Sequence, residues 1–302
     1  MLHCITASAQ TGQGRHIAEG VGFIAAVQAD GTVKAVGDNT YGQCDTSDWR
    51  NVTAVAVGLY HTLGLKKDGT VYAAGRNDIG QCDVQEWKDI VMVAAAYRES
   101  YGLTREGTVL RTDHDSSIAD IEMPKWKDIA WIDGFVWYVP TAIDKNGDPF
   151  VVGVDFLGDV HDVRQVYETF ERLYLLKTDG TIQYVNSREG EEYDYGDHPE
   201  ILEMDRDPWS DIIELDLGEA DLIALKRDGT VVVRFGVGYI RDWTDIVEIE
   251  GGGFGVKRDG SIVIDHEFVE DYTPEQLAEI STWKVMVDPE TLPVTAPQTV
   301  AP

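Results

Sequence analysis

The chain is short of basic charge. Its 302 residues carry 25 Lys and Arg against 54 Asp and Glu, a formal net charge of −29. Binding to DNA or RNA requires basic side chains that displace counterions from phosphates, so this balance argues against a nucleic-acid polymer as partner. An anionic membrane is disfavoured for the same reason. Two readings of the excess acid remain open: a well-solvated surface, and a surface that attracts a basic partner. Cysteine is also scarce. Cys4, Cys44 and Cys82 do not make a disulfide framework. Cys44 and Cys82 both stand in Gly-Gln-Cys-Asp, 38 residues apart, which reads as two equivalent, structurally packed thiols. No run of about 18 apolar residues is present to span a membrane as a helix. Met1–Thr6 lacks the basic start and apolar segment of a secretory signal, so the expected location is cytoplasmic, in the producing cell or in a host.

Catalytic and metal-binding signatures are missing as well. The sequence has no His-Glu-x-x-His, Cys-x-x-Cys, phosphate-binding glycine loop or Gly-x-Ser-x-Gly elbow. Asp144-Lys145-Asn146-Gly147-Asp148 looks like the start of a calcium loop, but Pro149 stands where that loop needs Gly and no closing Glu follows. The expectation is a non-enzyme with no catalytic residue, no metal ligand set and no cofactor.

What the sequence does have is repetition. Residues 49–89 contain three short, β-branched apolar runs, Val52–Val57, Thr62–Leu65 and Thr70–Ala74, each too short for a helix. Glycine-containing turns separate them. An Asp-Gly turn, which supplies the positive φ a tight hairpin needs, recurs with variations. The anchors are Asp30, Asp68, Glu106, Asn146, Asp179, Asp228 and Asp259, at intervals of 38, 38, 40, 33, 49 and 31 residues. A second marker, Trp-x-Asp/Asn-Ile/Val, precedes most anchors in constant phase, at Trp49, Trp87 and Trp209, with Trp126 and Trp243 slightly displaced. Val160 holds the slot before the fifth anchor. A repeat of about 40 residues with several strands predicts an array of blades, and a closed ring hides the faces and edges that single blades would expose.

The pattern Val-Ala-Val-Gly-x-x-His-Thr-Leu-x-Leu-x-x-Asp-Gly-Thr-Val-x-x-x-Gly-x-Asn over 55–77, followed by Gly80-Gln81, resembles the regulator-of-chromosome-condensation repeat. Its short units are most similar to bacterial members, including a secreted β-lactamase-inhibitor propeller. The resemblance implies a seven-bladed β-propeller, in agreement with the seven anchors, and a fold on which function is grafted. The expected class is therefore all-β, with one propeller over 1–287. Residues 288–302, holding four of the ten prolines, read as a disordered tail. Phase leaves the first blade without the start of its own first strand. Ser281–Val287, with Trp283, is expected to supply it, so that the N- and C-terminal segments pair to close the ring. Just before it, Thr273-Pro274-Glu275-Gln276 is a capping box that predicts a short helix.

Alternating strand directions put the loops after the first and third strands on one face and the Asp-Gly turns on the other. Aligning the copies places Val21 and Phe23, Leu59, Tyr60 and His61, Tyr97, Arg98 and Glu99, Phe135, Trp137 and Tyr138, Phe170, Glu171 and Arg172, Glu219 and Asp221, and Phe254 around the first set. These positions vary from copy to copy yet keep large rings and mixed charges, as an interface with a few aromatic anchors would. The binding set read from the sequence is Tyr60, His61, Tyr97, Arg98, Phe135, Trp137, Tyr138, Phe170 and Arg172. Glu191, Glu192 and Asp194 join it from the acidic interruption at 188–207, which reads equally as a solvated loop. In the resembling inhibitor the corresponding loops contact the target enzyme. For Phe23, Phe170 and Phe254 the alternative is a plug in the central channel. The function expected is non-catalytic binding of a protein with a basic or mixed surface, with inhibition or sequestration as its mode. A small molecule or nucleotide at the channel mouth, held by Arg98, Arg172 and Arg188, is the competing reading.

Overall fold

The computed structural model describes residues 14–96, 98–112, 126–134, 140–152, 157, 160–168, 172–186, 201–204, 209–217, 222–233, 242–251, 253–266, 269 and 271–288. Seven antiparallel sheets follow one another along the chain. Blade 1 is β1 (Ile17–Gly20), β2 (Phe23–Val27) and β3 (Val33–Gly37); blade 2 is β4 (Val52–Val57), β5 (His61–Lys66) and β6 (Val71–Gly75). Blade 3 is β7 (Ile90–Ala96), β8 (Glu99–Thr104) and β9 (Val109–Arg111); blade 4 is β10 (Ile129–Asp133), β11 (Thr141–Asp144) and β12 (Pro149–Val151). Blade 5 has four strands, β13 (Val163–Glu168), β14 (Arg172–Lys177), β15 (Ile182–Asn186) and β16 (Ile201–Glu203). Blade 6 is β17 (Ile212–Leu217), β18 (Leu222–Lys226) and β19 (Val231–Val233); blade 7 is β20 (Ile246–Glu250), β21 (Phe254–Lys257) and β22 (Ile262–Ile264). The long interval before the sixth anchor is thus not all loop, because Ile201–Glu203 pairs with Gln183–Val185 as a fourth strand.

Both sequence markers have a physical cause. In the Asp-Gly-Thr turns the aspartate Oδ1 accepts from the backbone and hydroxyl of the residue two ahead, as Asp68 does from Thr70 at 3.0 and 2.6 Å. The Asn or Asp of the second marker sits in the left-handed region at Asn51, Asp89, Asp128, Asp162, Asp211 and Asp245, with φ from 52° to 64°. These two residue types tolerate that conformation best among those with a side chain. The strained residue makes a clip between blades. Its carbonyl accepts from the residue before the turn within its own blade, and the next amide reaches back to the turn glycine of the preceding blade. Lys67 N–H donates to Asn51 O at 2.9 Å, and Val52 N–H to Gly31 O at 3.0 Å.

The clip recurs at Ile90, Ile129, Val163, Ile212 and Ile246, and a seventh time through the C-terminal segment. There Val285 N–H donates to Gly260 O at 2.9 Å and Ala29 N–H to Lys284 O at 2.8 Å. Gln28 bridges Val285 in antiparallel register, and Met286 N–H donates to Val27 O at 2.8 Å. The innermost strand of blade 1 is therefore composite: Lys284–Met286 provides its beginning and His16–Gly20 its continuation. Seven apolar clusters fill the seven spaces between neighbouring blades. The one joining blades 7 and 1 contains Ile17, Ile24, Phe254 and Val256 together with Ile280, Trp283 and Val285. Helix α1 (Pro274–Ile280) leads into this segment, with Thr273 and Gln276 exchanging both bonds of the capping box.

The tryptophans lie against a residue of the middle strand that must be small. A Cβ on Gly64 would stand 2.6 Å from the Trp49 ring, and Gly102 and Gly255 meet Trp87 and Trp243 in the same way. Among the described residues no helix is long and apolar enough to cross a membrane.

Candidate binding face and channel

Two sets of side chains distinguish the ring from a bare scaffold. The first lies on the loop face. Val21 and Tyr41 are the exposed large hydrophobics among the described residues, at 36% and 45%. Val21 is in the β1–β2 turn, and Tyr41 is in the loop after β3. The Tyr41 ring lies 5.0 Å from that of Tyr60, centroid to centroid. The Arg76 guanidinium stands 5.2 Å from the first ring and 6.0 Å from the second, within the range of cation–π attraction. Asp78 fixes that guanidinium through bonds of 2.8 and 2.5 Å, and this hydrogen bonding holds the Asp78 carboxyl below its ordinary range. Arg98, from blade 3, approaches the same carboxylate at 3.9 Å. Blades 1, 2 and 3 together present two rings and two cations to solvent.

Of the residues expected here, Tyr60 and Arg98 are linked through Arg76 and Asp78. Arg172 lies over the Tyr184 ring at 5.3 Å in blade 5. Tyr97, Phe135, Trp137, Tyr138, Phe170, Glu191, Glu192 and Asp194 lie outside the described residues. His61 is not part of the face. It opens β5 pointing inward, 1% exposed, with Nε2 3.0 Å from Ser100 Oγ of blade 3. Ser100 spends its own proton on Gln81 O at 2.7 Å, so the histidine donates. Burial lowers its pKa to about 4 and keeps the ring neutral. Phe23 and Phe254 are fully buried between blades, neither on the face nor in the channel. Leu59 is buried as well.

Cys44 and Cys82 are equivalent, as expected, each thiol donating to a backbone carbonyl, that of Asp38 and of Arg76. Burial pushes both up to about 12, so neither is a thiolate nucleophile at neutral pH.

The second set lines the axis. First strands of adjacent blades contact each other around most of the ring, which makes them the innermost. The pairing registers equate Ala18, Ala56, Ala94, Asp133, Tyr167, Asp216 and Glu250 as one tier, and His16, Ala54, Met92, Trp131, Gln165, Glu214 and Glu248 as another. Blades 2 and 3 supply only apolar groups to both tiers, whereas blades 6 and 7 supply only carboxylates. Arg15, just ahead of β1, reaches across to Asp216 at 3.1 Å and to Glu250, with Glu214 at 4.0 Å. His16 pairs with Glu248 at 3.1 Å, and Tyr167 donates to Asp216 at 2.9 Å. Burial raises Glu250 to about 8 against the pull of Arg15, and raises Glu19, Glu214 and Asp133 in the same direction. Burial opposes the charge on His16, but Glu248 outweighs it and the histidine is raised. Burial likewise acts against Glu248, whose pairing with His16 and the bonds from it win and lower the carboxyl.

The sequence carried a signal for this lining that loop alignment passes over. Glu214 and Asp216 in Ile-Ile-Glu-Leu-Asp-Leu, and Glu248 and Glu250 in Ile-Val-Glu-Ile-Glu, alternate acid with apolar residues inside strands whose copies in blades 2 and 3 have none.

Residues 52–81, blade 2 and its following loop, match the family model described as Regulator of chromosome condensation (RCC1) repeat. Among solved structures the chain is similar to Prp20p from Saccharomyces cerevisiae, studied for its binding to Gsp1p and histones. The identity is 16%, over 72% of this chain and 70% of that one, with a TM-score of 0.52. It is also similar to human WBSCR16, at 17% identity over 78% of each chain and a TM-score of 0.51. Comparison with curated protein sequences found no match. The chain thus carries a regulator-of-chromosome-condensation-like repeat, and at these identities the likeness to the solved structures is one of fold.

Proposed function

We propose that this propeller is a non-catalytic binding module that docks its loop face onto another protein. One observation carries the reading: the exposed large hydrophobics of the described residues, Val21 and Tyr41, fall on this face, where Tyr41 adjoins Tyr60 and Arg76, and Asp78 links Arg76 to Arg98. Aromatic and arginine anchors of this kind dominate binding energy at protein interfaces. The similarity in fold to a protein studied for binding Gsp1p and histones supports the same reading. With a net charge of −29, the remaining surface favours a partner that is basic or mixed. Inhibition or sequestration is the mode we assign, because the described residues of the face are contact groups, aromatic rings and guanidinium cations. The binding unit is the ring over 1–287, with 288–302 as a tail outside it.

The small-molecule or nucleotide alternative is less supported. Phosphate entering the channel would meet Asp133, Asp216 and Glu250, and Arg15 is already engaged by two of them. The test is affinity capture from cells of the native host, using wild type beside Tyr41→Ala/Tyr60→Ala. A protein retained by the first and lost by the second supports the proposal. Equal retention by both, or saturable binding of nucleotide in place of protein, overturns it.

A further inference from the structure

The channel lining, independent of the loop face, bears on how the ring is held shut. The chain enters beside blade 2, where Val55 N–H donates to Arg15 O at 2.8 Å. From there the Arg15 side chain crosses to blades 6 and 7, meeting Asp216, Glu250 and the carbonyl of Ile249 at 3.3 Å. The segment that follows is tied down by carboxylates of blade 7: Glu248 accepts from the His16 amide at 2.8 Å and Glu250 from the Glu19 amide at 2.8 Å. This segment is also the continuation of the composite strand, so one stretch of six residues is at once a strand of blade 1 and a tie across the axis.

Its charges do not balance. Facing Arg15 and His16 are Asp133 of blade 4, Glu214 and Asp216 of blade 6, and Glu248 and Glu250 of blade 7, and Glu19 on their own segment faces Glu250 and Asp216. Arg164 of blade 5 lies within electrostatic reach of Glu214, and Tyr167 of the same blade donates to Asp216. Tyr272, ahead of α1, donates to Glu19 at 2.9 Å, and Asp271 and Asp288 border the cluster. Among the described residues, blades 2 and 3 offer nothing ionisable there. Glu19 also crowds blade 7: a Cβ on Gly251 would fall 1.8 Å from its Oε2. Six carboxylates thus share two cations among largely buried side chains, and like charges that close repel unless some of them keep their protons.

We propose that Arg15–Gly20 is a proton-controlled latch on the ring, engaged while the channel carboxylates retain protons among them and released as they become fully ionised. Release frees the Arg15 carbonyl from Val55 and opens the part of the composite strand that His16–Gly20 supplies, while blades 2 to 7 keep their own hydrogen bonds.

The sign follows from linkage. An acid whose pKa is raised by folding stabilises the closed form below its unfolded value near 4.5, and that stabilisation is lost as pH rises through the folded value. For Glu250 the window runs from the ordinary carboxylate range to about 8. Glu19, Glu214, Asp133 and His16 are raised too and act in the same direction.

The experiment is hydrogen exchange on the full chain between pH 5.5 and 9, with the Val55 amide compared with the Leu225 amide inside blade 6. Exchange rates are corrected for intrinsic pH dependence. In the wild type, Val55 protection should fall by at least about tenfold per pH unit up to about pH 8, while Leu225 stays protected. Glu250→Gln, which fixes that group in its neutral form, should reduce the slope by about a factor of ten per pH unit. Should that variant fail to fold, Glu19→Gln should reduce the slope instead. A pH-independent Val55 in the wild type, an unchanged slope in the glutamine variant, or parallel loss at Leu225 would each overturn the latch.

Discussion

Val160 and Leu175 occupy, in blade 5, the two positions that Trp49 and Gly64 hold in blade 2. Both are buried in one cluster, and their sizes are exchanged: where the slot lacks its ring, the middle strand supplies the missing volume. Trp283 with Ala26 and Trp209 with Ala224 lie between these extremes.

The exchange predicts a compensating pair. Gly64→Leu alone drives a side chain into the Trp49 ring and should cost about 3 kcal/mol or prevent folding. Trp49→Val alone leaves a cavity and should cost about 3–5 kcal/mol. The double variant should recover at least about 2 kcal/mol of their sum, measured by denaturant unfolding as a double-mutant cycle. Additive losses would mean that the two residues do not share one volume.

Truncation probes the seventh clip. Deleting 281–302 removes the fully buried Trp283 and the bonds to Val27, Ala29 and Gly260, so thermal unfolding should fall by roughly 10 °C or more and aggregation should increase. Deleting 290–302 should change the midpoint by about 1–2 °C at most. Equal midpoints for the two truncations would contradict a structural role for the C-terminal segment.

His61 gives an acid limb opposite in direction to the channel. Its folded pKa is depressed to about 4, so the stability it contributes is complete above about 6.5 and is lost as pH falls through 4. The stability difference between wild type and His61→Gln should therefore narrow by up to about 1.4 kcal/mol per pH unit over that window. A constant difference would indicate that the histidine is charged in the folded state.

On the loop face, Tyr41→Ala and Tyr60→Ala should each weaken capture of a protein partner by about 30- to 1000-fold if both rings are anchors. Tyr41→Ala, exposed in the free protein, should change folding stability by about 0.5 kcal/mol or less. Trp137→Ala extends the same test to blade 4. Titration calorimetry with the captured partner checks all three.

If the acidic interruption steers association, replacing Glu191, Glu192, Asp194 and Asp197 with amides should slow the on-rate and flatten its salt dependence, leaving dissociation nearly unchanged. Stopped-flow binding at two ionic strengths decides it. An on-rate indifferent to the four substitutions would return the segment to a solvated loop.

Much of this architecture was legible because it rests on local chemistry repeated in phase. Asp68-Gly69-Thr70 dictates its own turn, Asn51 and Asp89 tolerate a left-handed backbone, and Thr273 with Gln276 caps a helix without help from the rest of the chain. The site was less legible, for two reasons. Tyr60 and His61 are neighbours in sequence, but strand alternation begins between them, so one ring is half-buried on the loop face and the other turns to the adjoining blade. Tyr41 stands in the slot filled by Ile79 in the next copy, and only the approach of Arg76 and Tyr60 makes it part of a surface. Arg15 precedes the first recognisable unit. The partners that its side chain pairs with are 199 to 235 residues away, a separation that no short-range pattern reports.

The composite strand decides how the molecule bears load. Both ends of the ring lie in a single strand of blade 1, so tension applied between the termini is carried first by the bonds joining Lys284–Met286 to Val27–Ala29 and to Gly260, which lie across the direction of pull and are sheared together. Stretched one molecule at a time, the protein should yield at this seam as a distinct first event, followed by the sequential peeling of the remaining blades. Cross-linking residue 285 to residue 28 should remove that first event and leave the later ones in place.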